Sequence, residues 1–161
     1  MAQTVYVETT IPGAYFDERH DVVSQFQRFQ TRLWWAQQRP RYELYVSEAV
    51  LAELERGEFP QKGSAIDLLK DLPVLPVTEE IVGVARVYVD QMVMPKGQMG
   101  DSFHLALACV YGVDYLLTWN CRHLANPRKL THITAINRRL GLLTPTVLTP
   151  QMLIEEVADE T

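Results

Sequence analysis

The chain has 161 residues, 47% of them hydrophobic, and a formal net charge of −5. A chain of this length buries about 70% of its extended surface, which suits one compact domain over residues 1–161 with little length left for a second. No stretch approaches the roughly 18 uninterrupted apolar residues of a membrane span, and MAQTVYVETT has neither the basic lead nor the apolar core of a signal peptide, so a cytoplasmic protein is expected.

Val5-Tyr6-Val7 is a β-branched and aromatic run that stops at Glu8-Thr9-Thr10, which reads as a buried strand meeting a polar edge. Asp21 caps a predicted helix to about Gln38, with Val22, Phe26, Phe29, Leu33 and Trp34 at helical spacing before Arg39-Pro40. Leu44-Tyr45-Val46 gives a second strand. Ser47 is an N-cap for a helix over Glu48–Arg56, closed by Gly57, and a shorter helix fits Gln61–Lys70. A third strand covers Val74 to Val77, Thr78 caps a helix to about Val93, and Pro95-Lys96-Gly97 reads as a loop.

Asp101 opens a helix to Tyr111, and Tyr115–Thr118 is the fourth strand. Asn126-Pro127 starts the next helix, because Asn accepts from free N–H groups and proline suits the first helical position. Leu130, Ile133, Ile136 or Asn137 and Leu140 form its expected buried stripe, ended by Gly141. A strand near Thr146–Leu148 and a small terminal helix follow. Strands alternating with helices predict an α/β fold, a mostly parallel central sheet of about five strands flanked by helices.

Charge is uneven along this chain. From Tyr115 to Ile154 there is no acid, while Arg122, Arg128, Lys129, Arg138 and Arg139 give +5 and leave −10 for the rest. The net charge argues against non-specific nucleic-acid binding, and an anionic partner is expected at this C-terminal third. Cys109 and Cys121 lack metal-ligand spacing and are expected to be reduced bystanders.

Sites on open parallel sheets collect at the carboxyl ends of strands, which selects Glu8 and Asn120. Asp101 sits at a helix start and Glu53 at the edge of a buried helix face. Each has an ordinary alternative: a cap for Asp101, a solvated helix residue for Glu53, a salt-bridged loop residue for Glu8, a turn residue for Asn120. His104 and His123 read as hydrogen-bonded structural residues without metal-ligand spacing.

Read in order, VYVETTIP, SEAVLAELERG and GDSFHLALACVYGVDYLLTWNCRHLAN, followed by Thr-Pro-Gln-Met-Leu near the end, the sequence resembles the PIN-domain family, especially its VapC-like toxins of bacterial toxin–antitoxin pairs. The likeness covers almost the whole chain. It implies a Mg²⁺- or Mn²⁺-dependent endoribonuclease that hydrolyses RNA phosphodiester bonds, is inhibited by a small antitoxin, and forms a homodimer through the region from Asp21 to Lys70.

Carried over residue by residue, the resemblance makes Glu8, Glu53, Asp101 and Asn120 the catalytic set, with Glu8, Glu53 and Asp101 holding the metal. Thr9, Thr118, Arg122 and Lys129 are the implied substrate contacts, with Arg138 or Arg139 beyond them. Clustered carboxylates repel unless a cation lies between them, and Mg²⁺ takes oxygen ligands while keeping waters for phosphate oxygens to replace. Two positions depart from the family pattern: Glu8 and Asn120 each stand where Asp is usual, so the cluster carries three formal charges rather than four. A catalytically weakened RNA- or protein-binding module is therefore the alternative reading. A metal-dependent phosphatase is disfavoured, because Glu8-Thr9-Thr10 lacks an Asp nucleophile.

Overall fold

The computed structural model describes residues 2–91, 93–94 and 99–159. The expected loop at Pro95-Lys96-Gly97 lies outside them. Five strands form one sheet: β1 (Gln3–Val7), β2 (Tyr42–Ser47), β3 (Val74–Leu75), β4 (Tyr115–Leu117) and β5 (Thr146–Leu148). Their order is β3-β2-β1-β4-β5, and every pairing is parallel. The expected α/β architecture is present.

The helices are α1 (Thr10–Tyr15), α2 (Val22–Gln37), α3 (Glu48–Arg56), α4 (Lys62–Leu68), α5 (Glu79–Asp90), α6 (Met99–Val110), α7 (Pro127–Leu140) and α8 (Pro150–Asp159). Local chemistry sets several starts. Asp21 accepts from the Ser24 N–H, Ser47 from Val50 and Asn126 from Arg128, each satisfying a donor that the first helical turn leaves free. Gly141 ends α7 in the left-handed region at φ 75°, where a side chain is strained.

Strand β1 is central, and the chain winds away from it through β2 and β3 on one side and returns through β4 and β5 on the other. The β1–β4 boundary is thus a topological switch point, where loops leave in opposite directions and open a crevice at the carboxyl edge. Glu8 follows β1 and Asn120 follows β4, so both strand ends face this crevice.

Val5, Tyr6, Val7, Leu116 and Leu117 are buried in one core cluster with Trp34, Val50, Leu54 and the α6 residues Leu105 to Cys109. Three expectations need correction. Short helix α1 had no counterpart in the sequence reading, since its six residues include proline and glycine. Leu130 and Leu140 are exposed rather than buried, and α7 packs through Ile133, Ile136 and Asn137 instead. The apolar line on α2 divides: Val22 is 81% and Phe29 63% exposed, whereas its last member, Trp34, faces the core with Ser24, Thr31 and Trp35.

Candidate metal centre

Glu8 is 3% exposed at the end of β1, a costly place for a carboxylate unless its oxygens are satisfied. Its Oε1 accepts from the Thr10 N–H at 3.1 Å, from Thr10 Oγ1, and from Thr118 Oγ1 at 2.6 Å. The α1 turn and the end of β4 therefore hold one oxygen and aim the other toward α6, where Oε2 lies 3.9 Å from His104 Nε2.

Glu53, on α3, reaches the same point from the other side of the crevice. Its Oε1 sits 2.7 Å from His104 Nε2, with Thr9 Oγ1 3.4 Å from that nitrogen. Glu8, Glu53 and His104 each present a ligand atom within 4.8 Å of the other two, a group that suits a metal ion. Burial works against ionisation of Glu53, but the hydrogen bond and charge of His104 outweigh it and hold this carboxyl below its usual range. Desolvation opposes charge on His104 as well, yet the Glu53 bond and the charges of Glu8, Glu53 and Asp101 raise its pKa.

Asp101 lies in the first turn of α6 and is 9% exposed. Its side chain takes a partner across the crevice: Asn120 Nδ2 donates to Oδ1 at 3.0 Å. Among the described residues Oδ2 is buried with no hydrogen-bond partner. Burial pushes this carboxyl up; the Asn120 bond and the charges of His104 and His123 pull the other way, and Glu53 adds to the rise. The close donor group is Glu8, Glu53 and His104, without Asp101, whose buried Oδ2 is a further oxygen in the crevice; two carboxylates and an imidazole at this spacing fit a divalent ion.

Asn120 serves mainly to order this wall. Its Oδ1 accepts from the His123 N–H at 3.0 Å and its own N–H donates to Thr118 Oγ1 at 2.9 Å. Thr118 is fully buried, with its hydroxyl committed to Glu8 and Asn120, so it supports the acids and has no surface to offer a substrate, contrary to expectation. Lys129 Nζ donates to Val93 O at 3.0 Å and lies 3.2 Å from His123 Nδ1, while Arg122 is exposed. Thr9 lines a groove of about 750 Å³ that starts at Glu53 and runs between Phe16, Leu54, Phe59 and Trp119.

The sequence reading missed His104. It sits three residues after Asp101, on the same side of α6. Its bonds to Tyr6 and Glu53 agree with a hydrogen-bonded structural residue, and its place beside Glu8 and Glu53 makes it a candidate donor as well.

The architecture is that of a PIN-like α/β fold with an acidic centre at the sheet's carboxyl edge. No protein-family model matches the sequence, and no curated protein matches it significantly. Solved structures of VapC toxins share the fold. VapBC-1 from nontypeable Haemophilus influenzae is 18% identical, with a TM-score of 0.54 over 92% of this chain and 99% of that one. VapBC2 from Rickettsia felis, bound to a DNA fragment from its promoter, is 15% identical with a TM-score of 0.53 over 91% and 98%. VapC20 of Mycobacterium tuberculosis, a sarcin–ricin loop cleaving toxin, is 16% identical with a TM-score of 0.53 over 74% and 92%. Among the described residues no helix is long and apolar enough to cross a membrane.

Proposed function

We propose that this chain, folded as one domain over residues 1–161, is a Mg²⁺- or Mn²⁺-dependent endoribonuclease of the VapC-like kind, held inactive by a small antitoxin. The observation that carries the reading is the close group of Glu8, Glu53 and His104, with Asp101 Oδ2 a buried acceptor that has no partner among the described residues. Glu8, Glu53 and Asp101 hold the ion. Once bound, it supplies charge neutralisation at the scissile phosphate and a more acidic attacking water.

The chain's own groups do the positioning. Thr10 and Thr118 fix Glu8, and Asn120 fixes Asp101. Exposed Arg122, next to this wall, binds a flanking phosphate; Lys129, already bonded to Val93, orders His123. Thr9 faces both His104 and the groove and so meets substrate. The sarcin–ricin loop cleavage named for VapC20 supports RNA as substrate, and the VapBC complexes support an antitoxin partner. The apolar groove beside Glu53 is where such a partner blocks the centre, and the outward face of α2 is where a second copy of the chain packs.

Purified free of any partner, the protein is expected to cleave RNA with Mg²⁺ or Mn²⁺ and to stop in EDTA. If Asp101→Asn cleaves at the wild-type rate, the site is wrongly placed. The Asn120 amide on Asp101 favours a second reading, a weakened binding module. That reading predicts retained RNA or partner affinity with no metal-dependent turnover.

A further inference from the structure

The acids of this centre do not stand alone, and the fourth member of the cluster is a nitrogen donor. His104 is 1% exposed and has both ring nitrogens engaged. Nδ1 lies 2.7 Å from the Tyr6 hydroxyl, which lies 2.8 Å from Ser47 Oγ; Tyr6 and Ser47 are themselves fully buried. Nε2 points the opposite way, at Glu53 Oε1 and Glu8 Oε2.

We propose that His104 Nε2 is a direct ligand of the metal ion, with Tyr6 and Ser47 as the buried pair that fixes its tautomer. This rests on the metal-site reading above and deepens it. Tyr6 can accept from the Nδ1 N–H while donating to Ser47 Oγ, whose second lone pair already takes the Val50 N–H at 3.2 Å. Nδ1 then carries the ring proton, and the Nε2 lone pair is left for a cation. An outward N–H held by a hydrogen-bond acceptor is the usual support behind a ligating histidine.

The separations fit. Donors on adjacent positions of an ion with ligand bonds of about 2.1 Å stand about 3.0 Å apart, and opposite donors about 4.2 Å. The Nε2 distances of 2.7 Å to Glu53 and 3.9 Å to Glu8 approximate those two values. The consequence is selectivity: a nitrogen ligand suits first-row transition ions, whereas Mg²⁺ prefers an all-oxygen shell, so His104 favours Mn²⁺ over Mg²⁺.

Electron spin-echo spectroscopy of the Mn²⁺-loaded protein tests this directly, because a bound imidazole gives a nitrogen coupling that ¹⁵N-labelled histidine alters. Wild type and His123→Gln are expected to show the coupling. His104→Gln is expected to lose it, together with about a tenfold or greater loss of Mn²⁺ affinity and a smaller loss for Mg²⁺. Should His104→Gln fail to fold, Tyr6→Phe keeps the core packing and is expected to weaken Mn²⁺ about tenfold through the lost Nδ1 partner. Mn²⁺ bound to wild type without nitrogen coupling, or a coupling lost in His123→Gln, overturns His104 as ligand and leaves the metal site standing. Folded wild type that binds no Mn²⁺ overturns both.

Discussion

Gly100 lies directly against Glu53: a β-carbon built on it would stand 2.9 Å from Glu53 Oε1, closer than real β-carbons approach any heavy atom. The absence of a side chain there lets the α3 carboxylate reach the first turn of α6, beside Asp101 and within 2.7 Å of His104.

Gly100→Ala separates site from fold. Alanine is the better helix former by up to about 1 kcal/mol, and the atom in its way is the end of a side chain that can move, so the protein should still fold with a Tm near that of wild type. The same methyl group displaces the Glu53 carboxylate, so divalent-ion affinity should fall about tenfold or more and the helix gain is offset by the loss of the Glu53–His104 bond in the metal-free protein. Calorimetric titration with Mn²⁺ beside a melting curve checks both. A Tm near that of wild type with undiminished affinity would remove Glu53 from the metal centre.

Thr118 should behave as a buried support for Glu8. Thr118→Val keeps the shape but removes the donor to Oε1 and the acceptor for the Asn120 N–H. A buried polar group left unpaired costs roughly 1–3 kcal/mol, so urea unfolding should show a loss of that order with metal affinity reduced as well. Thr118→Ser keeps the hydroxyl and is expected to recover most of both. Equal losses in the two variants would mean that packing, rather than the hydrogen bond, is what Thr118 provides.

How much of this was legible beforehand depends on how local the cause is. Asp21, Ser47 and Asn126 announced their helices because a cap acts on N–H groups two or three residues away. Glu8 and Asn120 were legible because each ends an apolar strand. The meaning of His104 was not, since Tyr6 reaches it across 98 positions of sequence and Ser47 meets Tyr6 across 41, through the pairing of β1 with β2. Helical spacing likewise identified α2 without saying which side meets the sheet. The core takes Trp34 and Trp35, and the phenylalanines turn away.

The His104–Glu53 pair predicts a stability profile for the metal-free protein. His104 has a raised folded pKa, so its contribution is full below its ordinary value of 6.5 and is lost as pH rises through the folded value. Glu53 has a lowered one, so its contribution is present above its ordinary 4.5 and is lost as pH falls through the folded value. Asp101, raised by burial, has the same sign as His104 but starts from 3.8. In EDTA, unfolding free energy is therefore expected to decline above about pH 6.5, and His104→Gln to flatten that alkaline limb. An unchanged limb in the variant would assign it to another group.

The outward face of α2 makes a prediction independent of the metal. Val22, Val23, Phe26 and Phe29 are 42–81% exposed on one helix, an exposed apolar group of the kind that marks interaction surfaces. Phe26 sits edge-on to Trp119 at 6.2 Å, and Trp119 Nε1 donates to Thr31 Oγ1 at 2.7 Å, so the inner part of the patch is held rigidly against the wall that carries Asn120. Rigid, preformed apolar surface is what a symmetric interface between two copies needs, because little side-chain freedom is lost on contact. Phe29→Glu places like charges opposite each other across such an interface while leaving the core untouched. Sedimentation velocity is expected to show a dimer for wild type and a monomer for the variant, with Tm changed only by the loss of association. A wild-type protein that sediments as a monomer at tens of micromolar would instead leave this face to a different partner.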